Sequence, residues 1–186
     1  MNSSNVTAAK PKVGGAIYVA PVGTTLPTDA SSTLASGFAE LGYASEDGIT
    51  NSNSPESDTI KAWGGDTVLT LLTSKDDTFS MTLIEVLNLE VLKLVYGDSN
   101  VTGALSTGIT IKANAQDLEE HVIVIDMVLK GGVLKRIVLP KAKVSEVGDI
   151  TYSDSDAVGY ETTFHCSSDS NGNTHYEYVK SASTGT

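Results

Sequence analysis

The sequence predicts a mainly β protein that folds as a single domain, and three observations lead to this class. Short runs of β-branched and alternating apolar residues, separated by Gly, Pro and Asp clusters, recur along most of the 186 residues. Helical spacing of apolar residues occurs in one stretch, residues 85–96. The composition, 40% hydrophobic and 19% charged, is that of a globular chain, and the length suits one domain.

The first half of the chain combines strands with a long polar insertion. Residues 14–20 (GGAIYVA) predict a first strand that Pro21 ends, and residues 38–44 (FAELGYA) predict a weaker second one. Residues 45–66 are polar almost throughout. They predict a long loop between strands, interrupted at most by a short strand near residues 59–62. Long insertions of this kind in compact domains usually serve a function or are disordered.

A strand pair and the helix follow this insertion. Residues 67–73 and 77–85 predict two strands on either side of a polar turn at 74–77. Residues 85–96 predict one flanking α-helix, because straight-chain and apolar residues dominate and Gly97 supplies a stop. The residues on one apolar stripe of this helix are Ile84, Leu87, Val91, Leu94 and Val95.

The clearest hairpin signal lies in the second half of the chain, at residues 121–141. Gly131-Gly132 suits a two-residue turn because glycine accepts positive φ. Such a turn pairs Lys130 with Val133. Pro140 is then expected to end the partner strand or to sit at a sheet edge, because proline donates no backbone hydrogen bond.

The register of that hairpin decides which side chains share a face. It places Asp126, Lys130 and Lys135 together on one face of the hairpin. Further strands are predicted at residues 108–113, 143–152 and 158–167.

Both ends of the chain differ from the part between them. Residues 1–12 are small and polar and predict an N-terminal arm, residues 13–180 form the β-rich domain, and residues 181–186 predict a flexible tail. The first residues contain no apolar segment of the kind found in a secretory signal, so we expect folding in a cytoplasm. The longest apolar run, residues 122–129, is broken by Asp126 and is far shorter than a membrane span.

Charge and cysteine content exclude several classes of function. A net charge of −11 and a pI near 4.5 disfavour attraction to nucleic acid. Aromatic residues make up 6% of the chain, too few for a stacking platform for bases or sugars. The single cysteine, Cys166, excludes an intrachain disulfide.

The candidate metal ligands do not form a recognisable set. His165 and Cys166 are adjacent in a predicted strand and therefore point to opposite faces, which opposes shared zinc ligation. Residues 169–173 match the first positions of a calcium loop, but Thr174 and Lys180 occupy the places of its glycine and glutamate. The acidic residues Asp149, Asp154 and Asp156 leave open a calcium site or a solvated loop.

No signature of catalysis occurs in the sequence, so we expect neither an enzyme nor a bound cofactor or metal. The only tryptophan, Trp63, lies in the polar insertion next to two glycines. It fits two roles equally well: a loop tryptophan folded back on its own sheet, or an anchor in a protein interface.

Three features in order resemble a known family. They are the N-terminal strand and turn GGAIYVAPVGTTLPTD followed by FAELGYASEDGI, the segment IKAWGGDTV leading to DDTFSMTLIE, and the helix EVLKLVYG. Together they cover residues 13–97, about half of the chain. This order resembles the major tail proteins, or tail tube proteins, of bacteriophages with long, non-contractile tails.

The resemblance implies a structural virion protein with a β-sandwich or barrel-like fold, a flanking helix, a long inter-strand loop and extended arms. Subunits of this family form hexameric rings that stack into a tail tube, and DNA passes through its lumen. The loop and the arms join successive rings. On this chain the loop residues expected to make those contacts are Asp47, Gly48, Trp63, Gly64, Gly65 and Asp66.

The resemblance also implies partners and a location. The partners are further copies of the chain, a tape measure protein, a tail terminator and baseplate-side proteins, with assembly in the host bacterial cytoplasm and no membrane. The face of Asp126, Lys130 and Lys135 becomes a candidate for the lumen or for the outer sheet. Two alternatives remain at this point: a β-sandwich binding module such as an adhesin or glycan-binding domain, and a related secretion-tube protein.

Overall fold

A computed structural model describes residues 1–13 and 15–181 of the chain. It confirms the predicted class, because strands take up 49% of the residues and helix 9%. The elements are β1 (Ala9–Pro11), β2 (Ile17–Pro21), β3 (Ala39–Glu40), β4 (Ala44–Lys61), β5 (Thr67–Leu83), α1 (Leu89–Tyr96), β6 (Val101–Ala104), β7 (Gly108–Ile111), β8 (His121–Leu129), β9 (Leu134–Val147), β10 (Tyr160–Cys166) and β11 (Tyr176–Lys180).

Nine of these strands form one antiparallel sheet in the order β3-β2-β8-β9-β10-β5-β4. The two remaining strands of the nine are β1 and β11, and each lies in line with another strand along a shared neighbour. β1 pairs with the end of β8 beyond β2, and β11 pairs with the beginning of β9 beyond β10. β6 and β7 form a separate two-stranded hairpin.

The centre of the sheet is buried on both faces. The larger cluster holds alternate residues of β2, β5, β8, β9 and β10 together with helix α1. The smaller cluster holds Ala20, Val122, Val124 and Val138, covered by apolar residues of the β2–β3 connection. Because successive residues of a strand point to opposite faces, this double burial explains why β8 is apolar nearly throughout.

Helix α1 confirms the single predicted helix but begins later than residue 85. Its first turn is capped by Asn88, whose side-chain oxygen accepts a hydrogen bond from the Glu90 N–H at 3.0 Å. Its end is capped by Gly97, with φ of 96° and an N–H that donates to the Lys93 carbonyl at 2.7 Å. The Asn88 side chain thus satisfies one of the backbone N–H groups that have no partner within the helix. Because this cap marks the start of the helix, residues 85–88 form a turn that precedes it.

The predicted loop at residues 45–66 is wrong in its secondary structure. β4 and β5 instead form one long hairpin whose pairing runs from Ala44–Leu83 to Lys61–Thr67. The predicted turn at residues 74–77 is likewise part of continuous β5. A strand exposed on both faces needs no alternation of apolar and polar residues, so its sequence lacks the periodicity that identifies half-buried strands.

The predicted two-residue turn at Gly131-Gly132 is also wrong. The connection has three residues, Lys130–Gly132, and Val128 pairs with Leu134. Both glycines have φ of 78°, so the positive φ expected of them is present. The added residue shifts the register of β9 by one position relative to β8.

β9 is longer than the sequence indicated, because it passes through Pro140. The register between β8 and β9 shifts between the pairs Ile123–Leu139 and His121–Ala142. This irregularity is a bulge, and a bulge tolerates proline because the residue there needs no ladder hydrogen bond.

The N-terminal arm is partly joined to the sheet. Residues 9–11 form β1, and the Lys12 N–H donates to the Asp126 carbonyl at 3.2 Å. At the other end, β11 stops at Lys180. Of the predicted tail 181–186, residues 182–186 lie outside the described residues.

Candidate assembly surfaces

Among the residues that the structure describes, no third strand supports the outer part of the β4–β5 hairpin. β10 covers β5 only from Thr78 to Leu83. Beyond that point, from Asn53–Asp77 to Lys61–Thr67, β4 and β5 pair only with each other. Both edges of the hairpin therefore carry backbone groups that are free to pair with another chain.

A tight turn closes this hairpin at residues 62–66. The Ala62 N–H donates to the Asp66 carbonyl at 2.7 Å, and the Gly65 N–H donates to the Ala62 carbonyl at 3.0 Å. Gly64 and Gly65 have φ of 116° and 100°, a region that side chains rarely adopt. Trp63 is fully exposed at this tip and is not folded back on the sheet.

Large apolar side chains are exposed along the outer hairpin, mostly on β5. Ile60 lies directly opposite Leu69, so these two share a face, whereas Leu72 lies opposite Ser57 on the other face. Exposed apolar patches of this kind mark interaction surfaces. The exposed apolar residues of the hairpin, here called the hairpin patch, are Ile60, Trp63, Val68, Leu69, Leu71 and Leu72.

The structure divides the six predicted loop residues into two groups. Trp63, Gly64, Gly65 and Asp66 form the tip, whereas Asp47 and Gly48 lie at the opposite end of β4. Residues 45–48 interrupt the register between the pairs Ala44–Leu83 and Ile49–Met81. The two groups are therefore separate surfaces of the subunit.

A buried carboxylate fixes the base of the hairpin to the sheet. Asp77 is fully buried and accepts hydrogen bonds from Asn51 Nδ2 at 2.8 Å, Thr174 Oγ1 at 2.5 Å and His175 Nδ1–H at 2.5 Å. Burial alone raises the pKa of Asp77, but these three hydrogen bonds outweigh it and the pKa is lowered. Asp77 thus ties β4, β5 and the segment before β11 together.

Sequence reasoning missed this role of Asp77, although a signal was present. Asp77 continues the alternation of Phe79, Met81 and Leu83, all of which are buried. A carboxylate at the next inward position of such a series must be paired with donors, since an unpaired buried charge is costly.

The register shift of β9 separates the three residues predicted to share a face. Asp126 is buried and faces Arg136, which donates to its two oxygens at 2.6 and 2.8 Å. Lys135 instead lies opposite Met127 and pairs with Glu177 at 3.0 Å. Lys130 is exposed in the turn. The prediction of one common face for Asp126, Lys130 and Lys135 is therefore wrong.

Arg136 also joins the sheet to the β2–β3 connection. Its Nη1 donates to the carbonyls of Asp29 at 3.1 Å and Ser32 at 2.9 Å. On the other side, Lys12 reaches Asp126 at 3.3 Å. Hydrogen bonding to Asp126 raises the pKa of Arg136, so the guanidinium stays charged inside the protein.

Comparison with known families agrees with this geometry. The model of the phage tail tube protein family matches residues 1–185. The chain belongs to this family. Among curated proteins, none matches the chain in sequence. Membership gives the chain a structural role in the virion tail and implies self-assembly into a tube with other tail proteins.

Cys166 and two of the histidines of this tail tube protein have different surroundings in the described structure. Cys166 is buried in the larger core cluster, and burial raises its pKa to about 12. His165 is exposed beside Asp76, and His175 is bound to Asp77. Over residues 1–13 and 15–181, no three His, Cys, Asp or Glu side chains are grouped so as to hold a metal ion.

Residues 169–173 of the tail tube protein form a turn stabilised by Asp169. Its Oδ1 accepts the N–H groups of Asn171 at 2.8 Å and Asn173 at 3.0 Å, and its Oδ2 accepts from the Tyr176 hydroxyl at 2.6 Å. The Tyr176 hydrogen bond is the main reason that the pKa of Asp169 is lowered. Its oxygens are occupied by protein donors, as expected for an Asn-Gly turn.

The candidate acidic residues Asp149, Asp154 and Asp156 are all exposed and lie outside the strands and helices. Asp154 and Asp156 lie in an exposed loop, where Asp156 accepts a hydrogen bond from Ser155 Oγ at 2.9 Å.

Within the part of the chain that the structure describes, no helix has both the length and the hydropathy to cross a membrane.

Proposed function

We propose that this protein assembles edge to edge into closed rings, six subunits to a ring, which stack into the phage tail tube through which DNA passes. Tail tube family membership supports the tube. The ring is inferred from the free edges of the large sheet, since closure of a sheet on itself removes the edges that would otherwise pair at random.

The observation that carries the proposal is the unsupported hairpin. A two-stranded hairpin alone is marginally stable in water, yet the unsupported part of this one runs from Asn53 to Asp77 and exposes apolar side chains on both faces. Full burial of a Val or Leu side chain contributes about 1.5–3 kcal/mol. The six residues of the hairpin patch therefore supply a driving force for association that the isolated subunit leaves unused.

The charge of the chain suits a channel for DNA. The net charge is −11, and below its tip the outer hairpin carries exposed carboxylates at Glu56, Asp58 and Asp76 against Lys61 and Lys75. Binding to DNA depends on cations that neutralise phosphates. We propose that hairpin carboxylates, and not the buried Asp126, line the lumen, so that DNA slides past without being held.

The remaining parts of the proposal are carried over from the resemblance to the family. The tube is taken to assemble in the host bacterial cytoplasm around a tape measure protein, between a tail terminator and baseplate-side proteins. Residues 1–8 and the end of the chain contribute to contacts between rings. The protein performs no catalysis in this scheme and needs no cofactor.

Electron microscopy and native mass spectrometry test the proposal. The purified protein is concentrated over a range of salt concentrations, and rings or tubes of uniform width are expected. Native mass spectrometry of the smallest ring gives the number of subunits, with six expected. A monodisperse monomer under every condition would contradict self-assembly and favour a binding module. A ring of another size would contradict only the hexamer.

A further inference from the structure

A groove of about 1040 Å³ opens on the face of the sheet that carries the larger core cluster. The N-terminal segment around β1 forms one wall, and residues 42–49 at the start of β4 form the other. Its floor is apolar and consists of Ile17, Ile125 and Ile137, with Met127 at one end. Helix α1 does not line this part of the sheet.

We propose that this groove is the receptor for the hairpin tip of a second copy, with Trp63 as the inserted side chain. The inference rests on the self-assembly proposed above and adds the site at which one subunit holds the next. The hairpin patch is a convex apolar surface that the described subunit exposes, and the groove is a concave one whose floor is formed by buried isoleucines.

The tip of the same chain cannot occupy the groove. Residues 42–49 line the groove, and β4 runs extended from Ile49 to Lys61 before the tip begins. Twelve residues of strand span roughly 40 Å. The tip is therefore held far from its own groove for as long as β4 stays paired with β5, and the occupant must come from another molecule.

The dimensions of the groove suit a hairpin tip. Pockets that enclose an organic ligand have volumes of about 300–1,000 Å³, and this groove reaches the upper end of that range. Tryptophan is a frequent anchor of protein interfaces because it buries a large apolar area and keeps one polar N–H. Gly64 and Gly65 follow it and add no side chain that would obstruct entry.

Charges at the two surfaces are complementary. Lys61, beside the tip, forms no ion pair within the described residues, and the same holds for Glu46 and Asp47 on the rim of the groove. Two of the three lysines that line the groove are already paired, Lys12 with Asp126 and Lys135 with Glu177, whereas Lys10 forms no ion pair within the described residues. The rim therefore offers free carboxylates to an incoming lysine.

The two surfaces are different patches of one chain, so the contact is heterologous. A heterologous contact does not end at a dimer, because each subunit still has a free tip on one side and a free groove on the other. Repetition gives a closed ring or an open helical row, and either is a building element of a tube.

Disulfide trapping between chains tests the proposal. Ala62→Cys places a thiol next to Trp63 without altering it, and Ala16→Cys places one in the groove wall; both changes add a single sulfur atom. The double variant, assembled and then mildly oxidised, is expected to give a ladder of covalent oligomers on a non-reducing gel. A disulfide forms only when the two Cα atoms approach within about 7 Å. The native Cys166 stays unreactive because it is buried.

The matched control is Ala62→Cys combined with Ser106→Cys, an exposed site in the β6–β7 turn away from the groove. No ladder is expected from it. If Ala16→Cys fails to fold, Ser45→Cys on the opposite wall carries the same test. Uniform tubes without a ladder at either groove site would overturn the groove as receptor and leave self-assembly standing. Failure of the unmodified protein to assemble would overturn both.

Discussion

The body of the sheet and the outer β4–β5 hairpin have the same antiparallel pairing, but they differ in the neighbouring strands and packed side chains that surround it. β8 is flanked by strands on both edges and by packed side chains on both faces. The outer hairpin has neither, although its ladder of backbone pairs is longer. Backbone hydrogen bonds contribute little net stability because water replaces them in the unfolded chain. Burial of side chains therefore stabilises the body of the sheet, whereas the side chains of the outer hairpin remain available for contact with another subunit.

The largest expected effect is a core truncation in the body. Phe164 of β10 is fully buried in the larger core cluster, opposite Phe79 of β5. Phe164→Ala should lower the free energy of unfolding of the monomer by about 3–5 kcal/mol, through lost burial and the cavity that remains. Leu72→Ala in the hairpin is the matched control and should cost under about 0.5 kcal/mol. Chemical denaturation of dilute protein measures both. Equal losses would mean that the hairpin is as tightly packed as the body.

The second expected effect concerns the buried ion pair. Arg136→Met leaves the Asp126 carboxylate buried with Lys12 as its remaining partner. The expected loss is about 3 kcal/mol, the lower end for breaking a buried pair, because Lys12 still offsets part of the charge. The double variant Asp126→Leu/Arg136→Met removes the charge as well and should be more stable than the single variant. A double variant that is less stable than Arg136→Met would contradict this account.

The difference between body and hairpin also explains what could be predicted from the sequence. Phe79, Met81 and Leu83 alternate because one face of inner β5 is buried, so the strand was predicted there. β4 lacks alternation because its side chains meet solvent on both faces, and a polar strand of that kind is indistinguishable from a loop in sequence. Strand identity was thus predictable wherever apolar and β-branched residues recur, in inner β5 and also in its exposed outer part at residues 67–73, and not in β4, whose residues are mostly polar.

The error at the β8–β9 turn has a different origin. Gly131-Gly132 correctly indicated a turn with positive φ, but two glycines fit both a two-residue and a three-residue connection. The choice between them is a shift of one residue, and it moves Lys135 away from the face of Asp126. The pairing of Asp126 with Arg136 depends on this shift and was therefore not predictable from the pattern.

An intermediate effect is expected at the junction of the two regions. Asp77→Asn keeps the size of the side chain, but donors face both carboxylate oxygens, Asn51 at Oδ1 and Thr174 and His175 at Oδ2. In either orientation of the asparagine, its amide N–H₂ therefore meets at least one donor and that hydrogen bond is lost. The expected loss is about 1.5–3 kcal/mol, the range for hydrogen bonds to a charged group. Asp76→Asn, one residue away and exposed, should leave the free energy of unfolding unchanged. Equal losses of stability from the two changes would contradict the role of Asp77 in tying β4, β5 and the segment before β11 together.

The same pair of variants gives a pH dependence with a defined sign. The pKa of Asp77 is lowered by folding, so its contribution is complete above the ordinary carboxyl pKa of 3.8 and is lost as pH falls through the lowered value. The stability difference between the unmodified protein and Asp77→Asn should therefore be constant from neutral pH down to about pH 5. It should shrink below pH 4. Taking the difference cancels other lowered carboxylates such as Asp169.

The smallest effect on the monomer is expected at the hairpin tip, where the effect on assembly is greatest. Trp63 is fully exposed, so Trp63→Ala should change the free energy of unfolding by less than about 0.5 kcal/mol. As the only tryptophan, Trp63 also reports on its own surroundings by fluorescence. Its emission should indicate full exposure in dilute protein and shift to shorter wavelength when rings or tubes form.

Trp63→Ala should then remove or strongly weaken assembly at concentrations where the unmodified protein forms tubes, since truncation of an interface tryptophan commonly costs 2 kcal/mol or more. Trp63→Phe keeps an aromatic anchor and should assemble partially, whereas Lys75→Ala, on β5 far from the tip, should assemble normally. If Trp63→Ala lowered the stability of the monomer as much as Phe164→Ala, the tip would belong to the core of its own subunit. If assembly and emission were both unaffected, the hairpin would not be the surface through which subunits meet.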